Sequence, residues 1–175
     1  MAEFIKTKLG IKHNFNPISN RHYLNGFQTV YHCHHFTTLY SQLALDAGET
    51  ESIAKVSEEA FYDVLYNYFE ENNIFDIKEK IEIACQYYSA LGLGIIEVEN
   101  IGDFSGKVIS KSSHVEEGWI KKWGQYDKPV NYIGCGYISA MMSAVLDKPV
   151  GTFSTEELES IVMGSKQTVY KSFIK

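Results

Sequence analysis

The sequence predicts an α+β fold in which N-terminal helices and a C-terminal small-residue helix pack on an antiparallel sheet. Three observations predict it. Apolar residues recur at helical spacing through residues 31–91. The pattern becomes strand-like over residues 94–111 and again over 157–173. Between these stretches lies a nearly all-apolar run, residues 130–148, rich in small side chains.

Taken in order, residues 1–28 are mixed in character and read as extended chain. YHCHHFTTLYSQLALDAG, residues 31–48, reads as a helix with a stripe of Phe36, Leu39, Tyr40, Leu43 and Ala47, closed by Gly48. Residues 49–73 form a longer amphipathic helix striped by Ile53, Val56, Ala60, Phe61, Val64 and Tyr68. Residues 76–94 repeat the pattern with Ile77, Ile81, Ala84, Tyr88 and Leu91, and Asp76 is the expected N-cap. GIIEVENI and GKVISK are two short strands around the turn-prone GDFSG. SSHVEEGWIKKWG opens with a serine cap signal and forms a short helix. In VNYIGCGYISAMMSAVLDK, Gly136, Ala140 and Ser143 make a face that lets a neighbour approach closely. ELESIVMGSKQTVYKSF reads as strand, turn at Gly164, strand.

The chain has 175 residues, 45% of them hydrophobic, which suits one domain across residues 1–175. Aromatic residues make up 14%, which suits wide internal surfaces or a cavity. The net charge is −6, and Arg21 is the only arginine among 16 basic residues. No basic stripe appears, which argues against nucleic-acid binding. The three cysteines, Cys33, Cys85 and Cys135, are far apart and form no disulfide framework, so a reducing, cytoplasmic setting is expected. No apolar run has the length of a signal peptide core or a membrane span.

HCHH, residues 32–35, is the densest group of proton-moving and metal-holding side chains. Carrying the helix back over it places His32 and Cys33 within the apolar stripe, His35 at its flank and His34 toward water. Side chains this close along a helix diverge, so at most His32 and His35 share a target. They either line a cavity and contact a ligand or metal, or serve as a buried helix entry beside an inert Cys33. SSHVEEGW gives a second candidate. His114 and Glu117 are three apart, and Trp119 and Trp123 follow. Together they make either a ligand wall or a solvated turn with tryptophans plugging the core. Tyr40 joins His32, His35, His114, Glu117 and Trp119 as a ligand-binding candidate. No phosphate-loop, dinucleotide, nucleophile-elbow or zinc-protease motif occurs, and no catalytic residue is identified.

Residues 132–173 carry a family resemblance. Cys135 opens the small-residue helix, a Lys148-Pro149-Val150 turn follows, and Gly164 anchors a hairpin holding Glu157, Ser160, Thr168 and Tyr170. This pattern resembles the 4-vinyl reductase domain family, over about residues 92–172. The resemblance implies a small α+β ligand-binding domain, a homodimer and a zinc ion held by three cysteines and a glutamate. The small-residue helix face is a candidate contact for that dimer. Cys135 and Glu157 match two of the zinc ligands, while Ser160 and Thr168 stand in the other two places. Hydroxyls are poor zinc ligands beside thiolates, so the implied site is degenerate. The same broad fold resembles haem nitric-oxide sensors, whose Tyr-x-Ser-x-Arg motif is missing here, and a vesicle-tethering subunit.

The expected function is therefore a stand-alone small-molecule-binding or sensor domain with an aromatic-lined cavity. The alternative is a metal-dependent enzyme with non-haem iron or zinc on His32, His35, His114 and Glu117. The first reading is preferred because His32, His35, His114 and Glu117 form a small polar set within an aromatic-rich chain. A small-molecule ligand and a second copy of the chain are the expected partners, with no nucleic acid and no membrane.

Overall fold

The computed structural model describes residues 8–175. Its elements are β1 (His13–Asn16), β2 (Arg21–Leu24), β3 (Phe27–Thr29), α1 (His34–Ala47), α2 (Thr50–Glu71), α3 (Ile77–Ala90), β4 (Gly94–Ile101), β5 (Ser105–Ser113), α4 (His114–Trp123), α5 (Tyr132–Val145), β6 (Phe153–Glu159) and β7 (Thr168–Ile174). A single 3-10 turn, Ile161–Met163, separates the last two strands. The α+β class expected from the sequence is the one observed.

Two antiparallel sheets form, one of three strands in the order β1-β2-β3 and one of four in the order β4-β5-β7-β6. The extended stretch expected at the N-terminus is the first of these, and residues 1–7 of that stretch lie outside the described residues. The N-terminal segment is pinned to the helices by Leu9 N–H donating to Gln86 and Gly10 N–H donating to Tyr68 Oη, each at 2.9 Å.

α5 lies between α2 and the large sheet. Every residue from Gly134 to Val145 is buried. Ile138, Met141, Met142, Tyr137 and Phe153 lose all contact with water. Each such side chain contributes about 1.5–3 kcal/mol of hydrophobic stabilisation. The small-residue face explains how α5 can sit there. A Cβ on Gly136 would overlap the Ala54 carbonyl and lie 2.6 Å from Ser57 Cβ. The α2 and α5 backbones therefore meet at this point. The face expected as a contact between two copies is consumed inside the chain instead, since Gly136, Ala140 and Ser143 are all buried.

Caps fall where side-chain chemistry requires them. Asp76 accepts from Glu79 N–H at 2.9 Å, and Gly48 adopts the left-handed conformation at φ 72°. Asn131, which the sequence pattern leaves unassigned, accepts from Gly134 N–H at 2.9 Å and starts α5.

α1 departs from expectation in two ways. It begins at His34, so His32 and Cys33 are not helical. Its buried residues are Thr38, Ser41 and Ala44, while Phe36 and Leu43 are 52% and 54% exposed. The reason is steric. α1 packs on α4 at Gly118, where a Cβ would sit 2.6 Å from Thr38 Oγ1 and 3.1 Å from His34 Cβ. Small side chains allow that approach and large ones do not, so the apolar stripe is left outside.

Gly136→Ala is expected to lower stability by about 1–3 kcal/mol, because the added methyl must force two packed helices apart. The urea midpoint of the variant measures this. An unchanged midpoint would show that α2 and α5 part without cost.

Candidate functional site

A cleft of about 970 Å³ opens between α2, the N-terminal half of α5 and β6. That is at the large end of the range for small-molecule sites. Ala54, Tyr132, Cys135, Gly136, Phe153 and Glu157 are among the residues that line it. β6 alternates its side chains across the sheet, so Phe153, Thr155 and Glu157 share one face. α5 brings Cys135 and Ser139 to the same wall, and Ser139 Oγ bonds Thr155 Oγ1 at 2.8 Å.

Glu157 is the distinctive group of the cleft. Its Oε2 accepts from Asn131 N–H at 3.0 Å. Its Oε1 is buried and has no partner among the described residues. Burial pushes the Glu157 carboxyl up to about 8, the negative charge of Glu116 pushes the same way, and hydrogen bonds from Asn131 N–H, the Ser160 hydroxyl and Val130 N–H oppose both. Near neutral pH the group is therefore mostly a neutral acid. Beside it, burial and the carboxyls of Glu157 and Glu116 hold the Cys135 thiol well above its ordinary range. A thiol kept protonated is a weak nucleophile and a weak metal ligand.

Next to the cleft lies a buried polar network centred on Glu116, which is fully buried. Ser160 Oγ donates to it at 2.5 Å, Thr168 Oγ1 at 2.7 Å and Val162 N–H at 3.4 Å. Asn131 Nδ2 joins in by donating to Ser113 Oγ at 3.0 Å and Tyr170 Oη at 2.8 Å. The network thus ties α4, the start of α5 and the β6–β7 hairpin together.

The zinc implied by the sequence resemblance can be tested against these residues. Ser160 and Thr168 are committed as donors to Glu116, which leaves Cys135 and Glu157 without the other two ligands of the implied set. Among the described residues, no group of three or more His, Cys, Asp or Glu side chains is placed to hold a metal ion. The residues do not fit a zinc centre.

The sequence candidates scatter. His32 is exposed and packs its ring on Phe36 and Tyr40, at 5.6 and 6.0 Å between centroids. Tyr40 itself lines a second, shallower apolar pocket with Leu43, Ile53 and Val56. His35 is exposed, and its Nδ1 lies 4.0 Å from Cys33 Sγ. Glu117 does not engage His114. It accepts from Ser113 N–H at 3.2 Å and so caps α4. Trp119 is buried and packs on Trp123 and Tyr126. None of these six lines the large cleft, whereas Cys135 and Glu157 do. The set of His32, His35, His114 and Glu117 is not assembled as a metal centre.

The ring that does meet His114 is His34, which the helical count directs toward water. The two centroids are 6.0 Å apart, and His34 lies 4.2 Å from His35. Loss of water, with His35, Lys121 and His114 nearby, holds the His34 imidazole below its usual range. Glu116 and Asn131 are further interior polar groups that sequence reasoning misses. A signal existed for both: Ser113-x-x-Glu116 has capping-box spacing, and Asn131 directly precedes the apolar helix.

No protein-family model matches the chain, and no curated protein matches it by sequence. Solved structures do match, and they define a class of small α+β domains. The phenol-responsive sensory domain of the transcription activator PoxR, bound to phenol, aligns with a TM-score of 0.76 over 93% of this chain and 84% of that one, at 13% identity. A vinyl-4-reductase family protein from Methanocaldococcus jannaschii aligns at 0.57 over 84% of each chain, also at 13% identity. A trafficking protein particle complex subunit 3 from Naegleria fowleri, covalently bound to palmitic acid, aligns at 0.53 over 81% of this chain and 94% of that one, at 13% identity. The chain has a 4-vinyl-reductase-like fold, as its C-terminal pattern implied. No described helix is long and apolar enough to cross a membrane.

Glu157 fixes the sign of a pH effect. Its folded value of about 8 lies above the ordinary 4.5, so the native state holds the proton more tightly. Its stabilising contribution is full below about pH 4.5 and is lost as pH rises through about 8. Glu157→Gln is expected to flatten that decline in thermal melts between pH 5 and pH 9. Parallel curves for the two proteins would contradict the assignment.

Proposed function

We propose that this chain is a small-molecule-binding domain whose ligand occupies the cleft between α2, α5 and β6. The observation that carries the reading is the cleft itself: its exposed surface is more apolar than polar, its charged groups are mostly ones exposed to solvent, and one buried acid carries an oxygen with no hydrogen-bond partner among the described residues. The fold supports it, since two structures that share it were solved with small, largely apolar molecules, phenol in one and palmitic acid in the other. The reading is of a binding or sensing domain and not of an enzyme. A protonated thiol and a protonated acid, with no base placed between them, make no nucleophile pair.

The test is direct. Nile red, a neutral dye that brightens in apolar surroundings, is expected to bind the wild-type protein. Ala54→Trp, half-buried on the α2 wall of the cleft, is expected to abolish the signal while leaving the melting temperature within a few degrees. Equal binding by this variant would move the ligand site elsewhere.

We also propose that the chain forms a homodimer. The exposed stripe of Phe36, Leu39, Tyr40 and Leu43, continued by Val56 of α2, supports this, because large apolar faces are rarely left to water. Leu43→Glu is expected to convert dimer to monomer in sedimentation equilibrium. A wild-type protein that is already monomeric would overturn the proposal.

A further inference from the structure

The side chains of the cleft also bear on the charge of its ligand, an assignment that rests on the cleft being the ligand site. Five carboxyl side chains line it, Glu51, Glu58, Glu59, Glu156 and Glu157, against three lysines, Lys55, Lys128 and Lys175. Two of the lysines are offset within the wall itself. Lys175 Nζ lies 3.3 Å from Glu58, and Lys55 Nζ lies 4.0 Å from Glu59. Glu58 is further satisfied by Gly151 N–H at 3.0 Å. What remains is Glu51, Glu156 and Glu157 against Lys128 alone.

Within that residual field, Glu157 Oε1 is the one buried carboxyl oxygen lining the cleft that lacks a protein partner among the described residues. The Asn131 and Val130 N–H groups and the Ser160 hydroxyl support the Glu157 anion in part, but Ser160 is already given to Glu116 and Oε1 keeps no partner of its own. As an anion, Glu157 lacks a counter-charge and faces Glu116 from α4, Tyr88 from α3, the Cys135 thiol and Tyr132 phenol from α5, and Tyr170 from β7. None of these supplies positive charge. The phenol of Tyr132 donates to the Pro129 carbonyl at 3.1 Å and is not free to turn to Glu157.

We infer that the cleft takes a small organic cation, a protonated amine on an apolar body, with its ammonium group set against Glu157 Oε1. The apolar body lies along Tyr132, Val150 and Ala54. An ammonium group supplies both the missing hydrogen bond and the missing charge, and charge-assisted bonds of this kind are the strong ones. On binding, Glu157 releases its proton to solvent and the amine keeps its own, so one proton leaves for each amine bound. A neutral alcohol of the same shape can offer the hydrogen bond but not the charge. A carboxylate meets repulsion.

The experiment is competition against Nile red by three molecules of matched shape: phenethylamine, phenethyl alcohol and hydrocinnamate. At neutral pH phenethylamine is expected to displace the dye at least about tenfold more tightly than the alcohol, with hydrocinnamate weakest. Its affinity is expected to rise with pH up to about pH 8, and that of the alcohol to stay flat. Glu157→Gln is expected to bring amine and alcohol within about threefold while still binding Nile red, which shows that the variant is folded. Displacement by all three with equal strength overturns the charge assignment and leaves the cleft reading standing. So does a preference for the amine that survives in Glu157→Gln. Failure of Nile red to bind the wild-type protein removes the cleft reading and the inference together.

Discussion

Two carboxyl groups share one interior in this fold, and they divide its hydrogen-bond donors unequally. Glu116 receives Ser160, Thr168 and the Val162 N–H. Glu157 receives the Asn131 N–H on Oε2, with further support from Val130 N–H and the shared Ser160 hydroxyl, and its Oε1 keeps no partner of its own. An unpaired buried charge costs far more than a neutral acid, so the second group keeps its proton. The division of donors is set by chain geometry. The turn after β6 and the start of β7 close around Glu116, while β6 itself carries Glu157 out to the edge of the network. The satisfied carboxyl holds α4 to the hairpin, and the unsatisfied one faces the cleft.

The same division accounts for the fate of the implied zinc. A tetrahedral zinc centre needs thiolates or imidazoles that nothing else neutralises. Here the two hydroxyls at positions 160 and 168 turn inward to a carboxylate, and that arrangement joins α4 to the hairpin without a cation. The network links α4 to the hairpin through hydrogen bonds between side chains far apart in sequence.

The sequence made most of the fold legible and little of the site. Elements from Gly94 onward mostly follow local pattern, because period and cap signals agree there: Gly136, Ala140 and Ser143 announce a close helix contact, and Gly164 a turn at φ 96°. β6 is the exception, since it begins at Phe153, before the expected Glu157, and gives way to a 3-10 turn at Ile161–Met163. Cys135 and Glu157 are legible too, as remnants of a family pattern. α1 is not, for a physical reason. Its largest apolar residues form a clear stripe, yet the helix buries Thr38, Ser41 and Ala44. Hydrophobic pattern ranks faces by transfer energy, whereas packing against Gly118 ranks them by size. Size won, and the assignment of His32, His34 and His35 to inside or outside turned with it. The second cause is the helix start. Cys33 caps the helix with extended backbone, so counting 100° steps back to His32 has no helix to count along.

α5 connects these outcomes. Its glycine must be small for α2 to approach, and that approach brings Ala54 and Glu58 of α2 to the rim of the same cleft that Cys135 and Ser139 floor. The contact that stabilises the helix pair therefore also sets the width of the cleft. A helix pair held a fraction of an ångström further apart would leave the core poorly packed and would move the α2 wall of the cleft away from Cys135 and Ser139. The shape of the cleft is thus a property of backbone proximity as much as of the side chains that line it.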